Sequence, residues 1–344
     1  MTLSGLPAGI ATGIGSWPGT DPREAATVIV GELTGLPHLV ELPARGVGAD
    51  TVGRASALLV DMRFDTTPRG YRLAARPGSV SRRASDLLRT DLDALQEAWE
   101  NAGLRGSGRP VKVQAAGPLT LAAQVELAGG HRVLTDRGAV RDLAESLAEG
   151  LAAHIAEVGS RLEAEVVLQL DEPSLGAVLA GSLRGPSVLN TVAAVPEPEA
   201  LAILETVLTA PGVPTVVHSC ASPPPLAFLG QTSAAALAFD LATVSGTAGL
   251  DALGEALDGG KQLVLGLVPT TRPAAEMTWR DIAEPGARLV DRLGFPRADL
   301  ARRVTVSPAC GLAGAPLSWA RTALRLAVDT AKAFAQDPES LVAG

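Results

Sequence analysis

The sequence predicts an α/β protein, a (β/α)8 TIM barrel that forms a single domain over residues 1–344. Strand-like runs alternate with helical patterns along the whole chain, and this alternation indicates βα units around a parallel sheet. The length suits one barrel, since barrels of this kind contain about 200 to more than 400 residues. Residues capable of chemistry fall just after the strand-like runs, where such a barrel has its active site.

Eight short runs rich in apolar and β-branched residues are predicted to be the strands of the barrel. In chain order they are Ala11–Ser16, His38–Glu41, Val111–Ala115, Glu165–Leu170, Thr215–Ser219, Ala235–Asp240, Gln262–Val268 and Val304–Ser307. Six longer segments carry apolar residues at three- and four-residue spacing, which predicts helices. They are Ala84–Asn101, Ala139–Glu163, Glu197–Leu208, Ala248–Leu257, Trp279–Leu293 and Trp319–Phe334.

The composition narrows the classes of function. Hydrophobic residues make up 47% of the chain and charged residues 19%, which is enough apolar material for a large core. The net charge of −8 argues against nucleic acid as a partner, because phosphate binding depends on lysine and arginine. A positively charged leader and an apolar run of membrane-spanning length are both lacking, so we expect a cytoplasmic protein that is not bound to a membrane.

The two cysteines of the chain, Cys220 and Cys310, each close a short β-branched run. A strand places residues two apart on the same face, so His218 and Cys220 can present an imidazole and a thiolate to one point. Zinc binds this mixture of ligands, and catalytic zinc sites commonly use three protein ligands with a position left for substrate. Burial as ordinary free cysteines is the alternative, while a chain this long with two cysteines is not typical of a disulfide scaffold.

Five phrases that follow or end the predicted strands resemble the C-terminal half of the cobalamin-independent methionine synthases, in the same order and at similar spacing. The phrases are Ile14–Ser16, Ala116–Pro118 with Thr120 after it, Leu168–Leu175, His218–Cys220 and Ala309–Leu312. The resemblance covers most of the chain. It implies a β/α barrel with one zinc ion that activates a thiol for attack on a methyl donor. The length accommodates one such barrel, so the family's additional N-terminal barrel is expected to be missing.

The resemblance also implies a set of metal ligands. The family holds zinc with a histidine, two cysteines and a glutamate, and His218, Cys220 and Cys310 occupy the first three positions. Asp240 is the nearest candidate for the fourth ligand, although aspartate is one methylene shorter than glutamate. Asp240 could instead be a helix N-cap or a solvated acid at a strand end. A thiol substrate has a pKa near 8.5 and would lose its proton on binding zinc.

Substrate-binding residues are implied in the same way. Asp171 matches the family aspartate that holds the amino group of homocysteine, which makes it both a catalytic and a substrate-binding candidate. A helix-start acid is its alternative role. Ile14, Gly15 and Ser16 match the loop that contacts the backbone of the amino acid. Glu41, at the end of the second predicted strand, could be a second carboxylate for the substrate ammonium or a solvent-facing strand end.

Two departures from the family pattern concern the methyl donor. The family has a histidine after the seventh strand that is thought to protonate the departing folate, whereas this chain reads Gly266–Arg272 without histidine. The family's tryptophan beside the pterin is replaced by the apolar stretch after Thr120. We therefore expect a small-molecule thiol acceptor and a donor other than the usual polyglutamylated folate, such as a methyl-corrinoid protein, a small methyl donor or another alkyl electrophile.

A barrel of the uroporphyrinogen decarboxylase type is the competing interpretation. Such a protein would be a metal-free enzyme or a binding module in which the two cysteines are incidental. Zinc content distinguishes the two classes.

Overall fold

The computed structural model of the protein describes residues 5–76, 78–185 and 191–341. Nine strands occur within these ranges. They are β1 (Arg63–Thr67), β2 (Gly70–Ala74), β3 (Val111–Ala116), β4 (Val125–Glu126), β5 (Val166–Asp171), β6 (Thr215–Ser219), β7 (Ala236–Asp240), β8 (Gln262–Val268) and β9 (Val304–Pro308). A six-stranded parallel sheet has the order β3-β5-β6-β7-β8-β9, so consecutive strands of this sheet lie side by side.

Twelve α-helices separate or flank the strands in the described ranges. They are α1 (Pro22–Glu32), α2 (Thr51–Ala55), α3 (Ser79–Asn101), α4 (Pro118–Gln124), α5 (Arg137–Leu162), α6 (Leu175–Ala180), α7 (Glu197–Thr209), α8 (Leu226–Gly230), α9 (Gly246–Asp258), α10 (Trp279–Leu293), α11 (Ala298–Arg303) and α12 (Leu317–Gln336). Short 3₁₀ helices lie at Pro43–Arg45, Val133–Thr135, Leu241–Thr243 and Pro338–Ser340. All six predicted helices are present, with α10 at the predicted bounds.

The last six predicted strands are confirmed, but the first two are not regular strands. Segment Ala11–Ser16 meets β9 through an Ala11–Val306 bridge, and segment His38–Glu41 meets β3 through a His38–Lys112 bridge. A Ser16–Glu41 bridge joins these two segments to each other. Gly15 adopts a φ of +147°, which interrupts a regular ladder at this point. The α/β fold therefore contains a curled six-stranded sheet with bridged segments at both of its edges.

An antiparallel hairpin of β1 and β2, with β4 beside β2, forms a second sheet that the sequence analysis did not predict. The hairpin turns through Pro68 and Arg69, and Gly70 after them has a φ of +141°. Each of its strands has five residues with charged residues among the apolar ones, so the usual apolar signal for a strand is weak here.

The core is built from alanine, leucine and valine, and it lies between the parallel sheet and the helices around it. Every residue of β3 and of β5 is buried, as expected for parallel strands covered on both faces. Helix starts follow their sequence signals: Asp21 accepts from the amides of Arg23 and Glu24 at the start of α1. Within the described residues, none of the helices combines the length and apolar character that crossing a membrane requires.

Close approach of α5 to the segment before β1 depends on Gly150. A Cβ atom at Gly150 would overlap the main-chain carbonyl of Leu58, which cannot move as easily as a side chain tip. Ser146, one turn earlier on the same helix, donates to the Val60 carbonyl at 2.6 Å and holds the contact from the side chain. The glycine is therefore required by packing and not by backbone conformation.

We expect Gly150→Ala to lower the free energy of unfolding by about 1–3 kcal/mol, because the added methyl group overpacks a backbone contact. Gly31→Ala is the matched control, since Gly31 lies on α1 with open space around it. That control should be neutral or stabilising by about 0.4–1 kcal/mol. Urea unfolding monitored by circular dichroism measures both. A Gly150→Ala protein as stable as the parent would contradict the packing described here.

Candidate active site

The carboxyl ends of the parallel strands bring the predicted ligand residues together. His218 lies on β6, Cys220 directly follows that strand, and Cys310 lies two residues after the end of β9. One ligand atom from each of these three side chains lies within 4.8 Å of the other two. The imidazole is buried, Cys310 is half-buried and Cys220 is exposed, so the group has one side open to solvent. Such an arrangement leaves room for a substrate atom.

The imidazole of His218 has one nitrogen engaged and one without a partner. Its Nδ1 lies 2.7 Å from Asp171 Oδ1, and the two residues are register partners on β6 and β5. An ionised carboxylate only accepts hydrogen bonds, so Nδ1 carries the proton and Nε2 has its lone pair available. Nε2 is buried and makes no hydrogen bond. A metal-ligating histidine is held in this way, with a carboxylate on the nitrogen that does not bind the metal.

The thiols of Cys220 and Cys310 form a hydrogen bond with each other. A hydrogen bond from the Cys310 thiol lowers the pKa of Cys220 to about 6, and this is the largest of several effects on that group. The same contact, together with burial, raises the pKa of Cys310 above its ordinary value. The contact therefore favours ionisation of Cys220 over ionisation of Cys310. Nitrogen and soft sulfur donors in this combination suit zinc, so the residues present fit that metal.

Asp171 is held in place by a chain of buried polar side chains. Gln169, two residues earlier on β5, donates from Nε2 to Asp171 Oδ1 at 2.8 Å. Its Oε1 accepts from the Nζ of Lys112 at 2.7 Å, which fixes the orientation of the amide. Burial lowers the pKa of Lys112 to about 8, while the nearby carboxylates of Asp171 and Glu41 act in the opposite direction. A buried cation thus lies beneath the site and offsets part of its negative charge.

Glu41 is buried with 4% of its surface exposed, so the solvent-facing alternative for this residue is wrong. Gln114 on β3 donates from Nε2 to Glu41 Oε1 at 3.2 Å and to the Leu39 carbonyl at 2.7 Å. Burial raises the pKa of Glu41 to about 7, with Arg54 acting in the opposite direction and Asp171 adding to the rise. Asp171 is therefore close enough to act on the charge of the buried Glu41 carboxylate.

The loop of Ile14, Gly15 and Ser16 lies against both groups. The carbonyl of Ile14 accepts from Lys112 Nζ at 3.1 Å and from Gln169 Nε2 at 2.8 Å. A Cβ atom at Gly15 would lie 2.7 Å from the Gln114 side chain, so glycine is needed for close approach as well as for its φ. The carbonyl of Ser16 accepts from the amide of Leu312 at 2.9 Å, which places Ser16 beside the loop that carries Cys310.

Asp240 ends β7 and is not part of the group formed by His218, Cys220 and Cys310. Its Oδ1 accepts from the amide of Ala242 at 2.9 Å and caps the short 3₁₀ helix that follows. The helix-cap role that the sequence left open is thus observed, while its role as a fourth metal ligand stays a prediction.

Several site residues were missed by the sequence analysis. Lys112, Gln114 and Gln169 are polar residues inside otherwise apolar strands, and this pattern is the signal that could have found them. Glu172 explains the glycine-proline phrase before α4: its carboxylate accepts from the amides of Leu119 and Thr120 at 2.9 and 2.7 Å. The role of Glu172 is therefore to fix this turn.

A sequence profile described as "Cobalamin-independent synthase, Catalytic domain" matches residues 9–333. The chain belongs to this family. Family membership makes it a methyltransferase-type enzyme of the methionine synthase kind, consistent with the resemblance found in the five phrases. A comparison with curated protein sequences finds no match.

Two solved structures are similar in fold to this family member. A B12-independent methionine synthase from Shewanella sp. W3-18-1, in complex with selenomethionine, gives a TM-score of 0.59 at 12% identity, with 96% of this chain and 97% of the other covered. A methyltransferase from Methanosarcina mazei gives a TM-score of 0.54 at 16% identity, with 96% and 94% covered. At these identities the similarity establishes the fold alone.

Proposed function

We propose that the protein transfers a methyl group to the thiol of a homocysteine-like amino acid, with one zinc ion held by His218, Cys220 and Cys310. The observation that carries this proposal is that one ligand atom from each of the three side chains lies within 4.8 Å of the others, while the buried Nε2 of His218 has no hydrogen-bond partner. Zinc, when bound, supplies a positive charge that deprotonates and positions the substrate thiol at neutral pH. We also infer that the bridged edge segments complete an eight-stranded barrel in a single domain.

The remaining chemistry belongs to the side chains of the protein. Through Oδ1, Asp171 would keep His218 in the tautomer that presents Nε2 to the metal. Through Oδ2, Asp171 would accept a hydrogen bond from the substrate ammonium. Glu41 would be the second acceptor for that ammonium. Loop Ile14–Ser16 would position the amino acid backbone beside Cys310. We infer a cytoplasmic location, because the site requires both cysteines as free thiols and the reducing cytoplasm keeps thiols in that form.

The donor is constrained by two segments of the chain, the loop after β8 and helix α4. Loop Pro269–Arg272 offers hydroxyl groups in place of a histidine, and a hydroxyl is too weak an acid to protonate a leaving folate near pH 7. Leu121, Ala122 and Ala123 lie on α4 and are buried in the core, so they provide no flat wall for a pterin. The family description gives no support to the corrinoid-protein donor that was expected. We therefore propose a small methyl donor.

The zinc assignment is tested by removing one sulfur. We expect Cys310→Ser to lower zinc affinity by more than about 100-fold, because changing even an outer partner of a metal ligand costs about 10–100-fold. Competition with a chromophoric chelator measures the affinity. Thr271→Val is the control, since Thr271 lies near the same mouth but contributes no ligand atom to the group. The assignment would be refuted if the purified protein contained no zinc and if the Cys310→Ser variant had the same zinc affinity as its parent.

The ammonium site is tested by pH. With its pKa raised to about 7, Glu41 is neutral below that pH and charged above it, so homocysteine binding should strengthen as pH rises from about 6 to 8. Glu41→Gln should remove the part of this dependence that Glu41 contributes, leave the part due to ionisation of the thiol, and weaken binding by about 1.5–3 kcal/mol, the value of a hydrogen bond to a charged group. Calorimetry on zinc-loaded protein gives both quantities.

The control ligand for this titration is 4-mercaptobutanoic acid, which keeps the thiol and carboxylate of homocysteine but has no ammonium. Its binding should change with pH in the same way for the parent and for Glu41→Gln. If homocysteine binding by the two proteins followed a single pH profile, Glu41 would not be part of the substrate site.

A further inference from the structure

A cavity of about 370 Å³ lies beside the loop that follows β9, between the carboxyl ends of β7, β8 and β9. Its lining includes Asp240, Leu267, Pro269 and Ala309. Ala309 directly precedes Cys310, so the cavity borders the loop that carries one of the proposed metal ligands. Neither the metal group nor the carboxylates for the substrate ammonium account for this space.

The cavity is formed by fixed elements. The amide of Ala309 donates to the Val268 carbonyl at 2.8 Å and ties the cysteine loop to the end of β8. A Cβ atom at Gly266 would lie 2.7 Å from Ala309 Cα, so glycine permits this approach. Trp319 donates from Nε1 to the Pro269 carbonyl at 3.1 Å and holds the opposite wall. The space is therefore preorganised for a ligand.

The charge of the cavity has one sign. Asp240 is the only ionisable side chain among the described residues that line it, and its remaining walls are aliphatic, proline or threonine. Asp171 and Glu41 lie at the same mouth, where the buried Lys112 offsets part of their negative charge, in a chain whose net charge is −8. Such a field attracts a small cation and repels a donor with several carboxylates. Aromatic faces, which recognise quaternary ammonium groups, are lacking among the described lining residues.

We propose that the methyl donor is a small methylsulfonium ion that binds in this cavity with its positive charge beside Asp240, a role that replaces the predicted fourth-ligand role of that residue. This inference rests on the proposed function and names its second substrate. The lone pair of the acceptor thiolate forms the new bond to the methyl carbon, and the electron pair of the breaking carbon–sulfur bond returns to the donor sulfur. The donor leaves as a neutral thioether, so charges balance without a proton, an oxidant or a reductant. The missing histidine acid is then not needed.

The experiment uses the full-length zinc-loaded protein with homocysteine and trimethylsulfonium. We expect methionine and dimethyl sulfide in equal amounts, and no methionine from methyltetrahydrofolate or methylcobalamin. Asp240→Asn should raise the KM for trimethylsulfonium roughly tenfold or more, because a charge pair near a protein surface is lost. The KM for homocysteine should stay unchanged. Asp258→Asn, at the end of α9, makes the same charge change at an exposed position and should alter neither KM.

Homocysteine binding to the zinc-loaded protein is measured first, without a donor, so that the two proposals fail separately. Absence of this binding would refute the proposed function. Normal binding without methionine from trimethylsulfonium would refute the sulfonium donor alone. Turnover of trimethylsulfonium that Asp240→Asn leaves unchanged would also overturn the inference, because the cavity would then not be the donor site.

Discussion

The hydrogen bond of 2.7 Å between Asp171 Oδ1 and His218 Nδ1 determines how the rest of the site is arranged. Parallel pairing of β5 and β6 places these two residues opposite each other, so the contact follows from the register of the sheet. Because Nδ1 donates to the carboxylate, Nε2 is left without a hydrogen bond and is the proposed ligand atom. A slip of one residue in this register would turn His218 away from the mouth and separate the imidazole from both thiols.

The same contact explains why buried polar residues lie deeper in the sheet. Burying a carboxylate is costly unless it is paired and fully hydrogen-bonded. Gln169 supplies the second hydrogen bond to Asp171, and Lys112 supplies positive charge through the amide of that glutamine. The carbonyl of Ile14 accepts from both donors, so the loop beside the proposed substrate is fixed by the same network. One network of hydrogen bonds therefore joins His218, Asp171 and the loop that contains Ile14.

The sequence was sufficient to predict the central strands, the long helices and the three candidate metal ligands. The reason is physical: His218 and Cys220 share a face through the two-residue period of a strand, and parallel strands end at one edge of a sheet. The first two strands were less predictable, because both segments meet their neighbours only through single bridges, and the backbone angle at Gly15 interrupts the first of them. The sequence could not decide whether Glu41 faces solvent, since burial depends on the tertiary contacts of Gln114 and Arg54. Nor could it show that Asp171 contacts His218, which requires the register of two strands 47 residues apart.

The distances around the metal provide the most direct test of this account. X-ray absorption spectroscopy of zinc-loaded protein should find two sulfur neighbours at about 2.3 Å and one nitrogen neighbour at about 2.0–2.1 Å, completed by a light atom. Adding homocysteine should replace that light atom with a third sulfur. A spectrum with oxygen and nitrogen neighbours only, or a sulfur count that homocysteine leaves unchanged, would contradict the account.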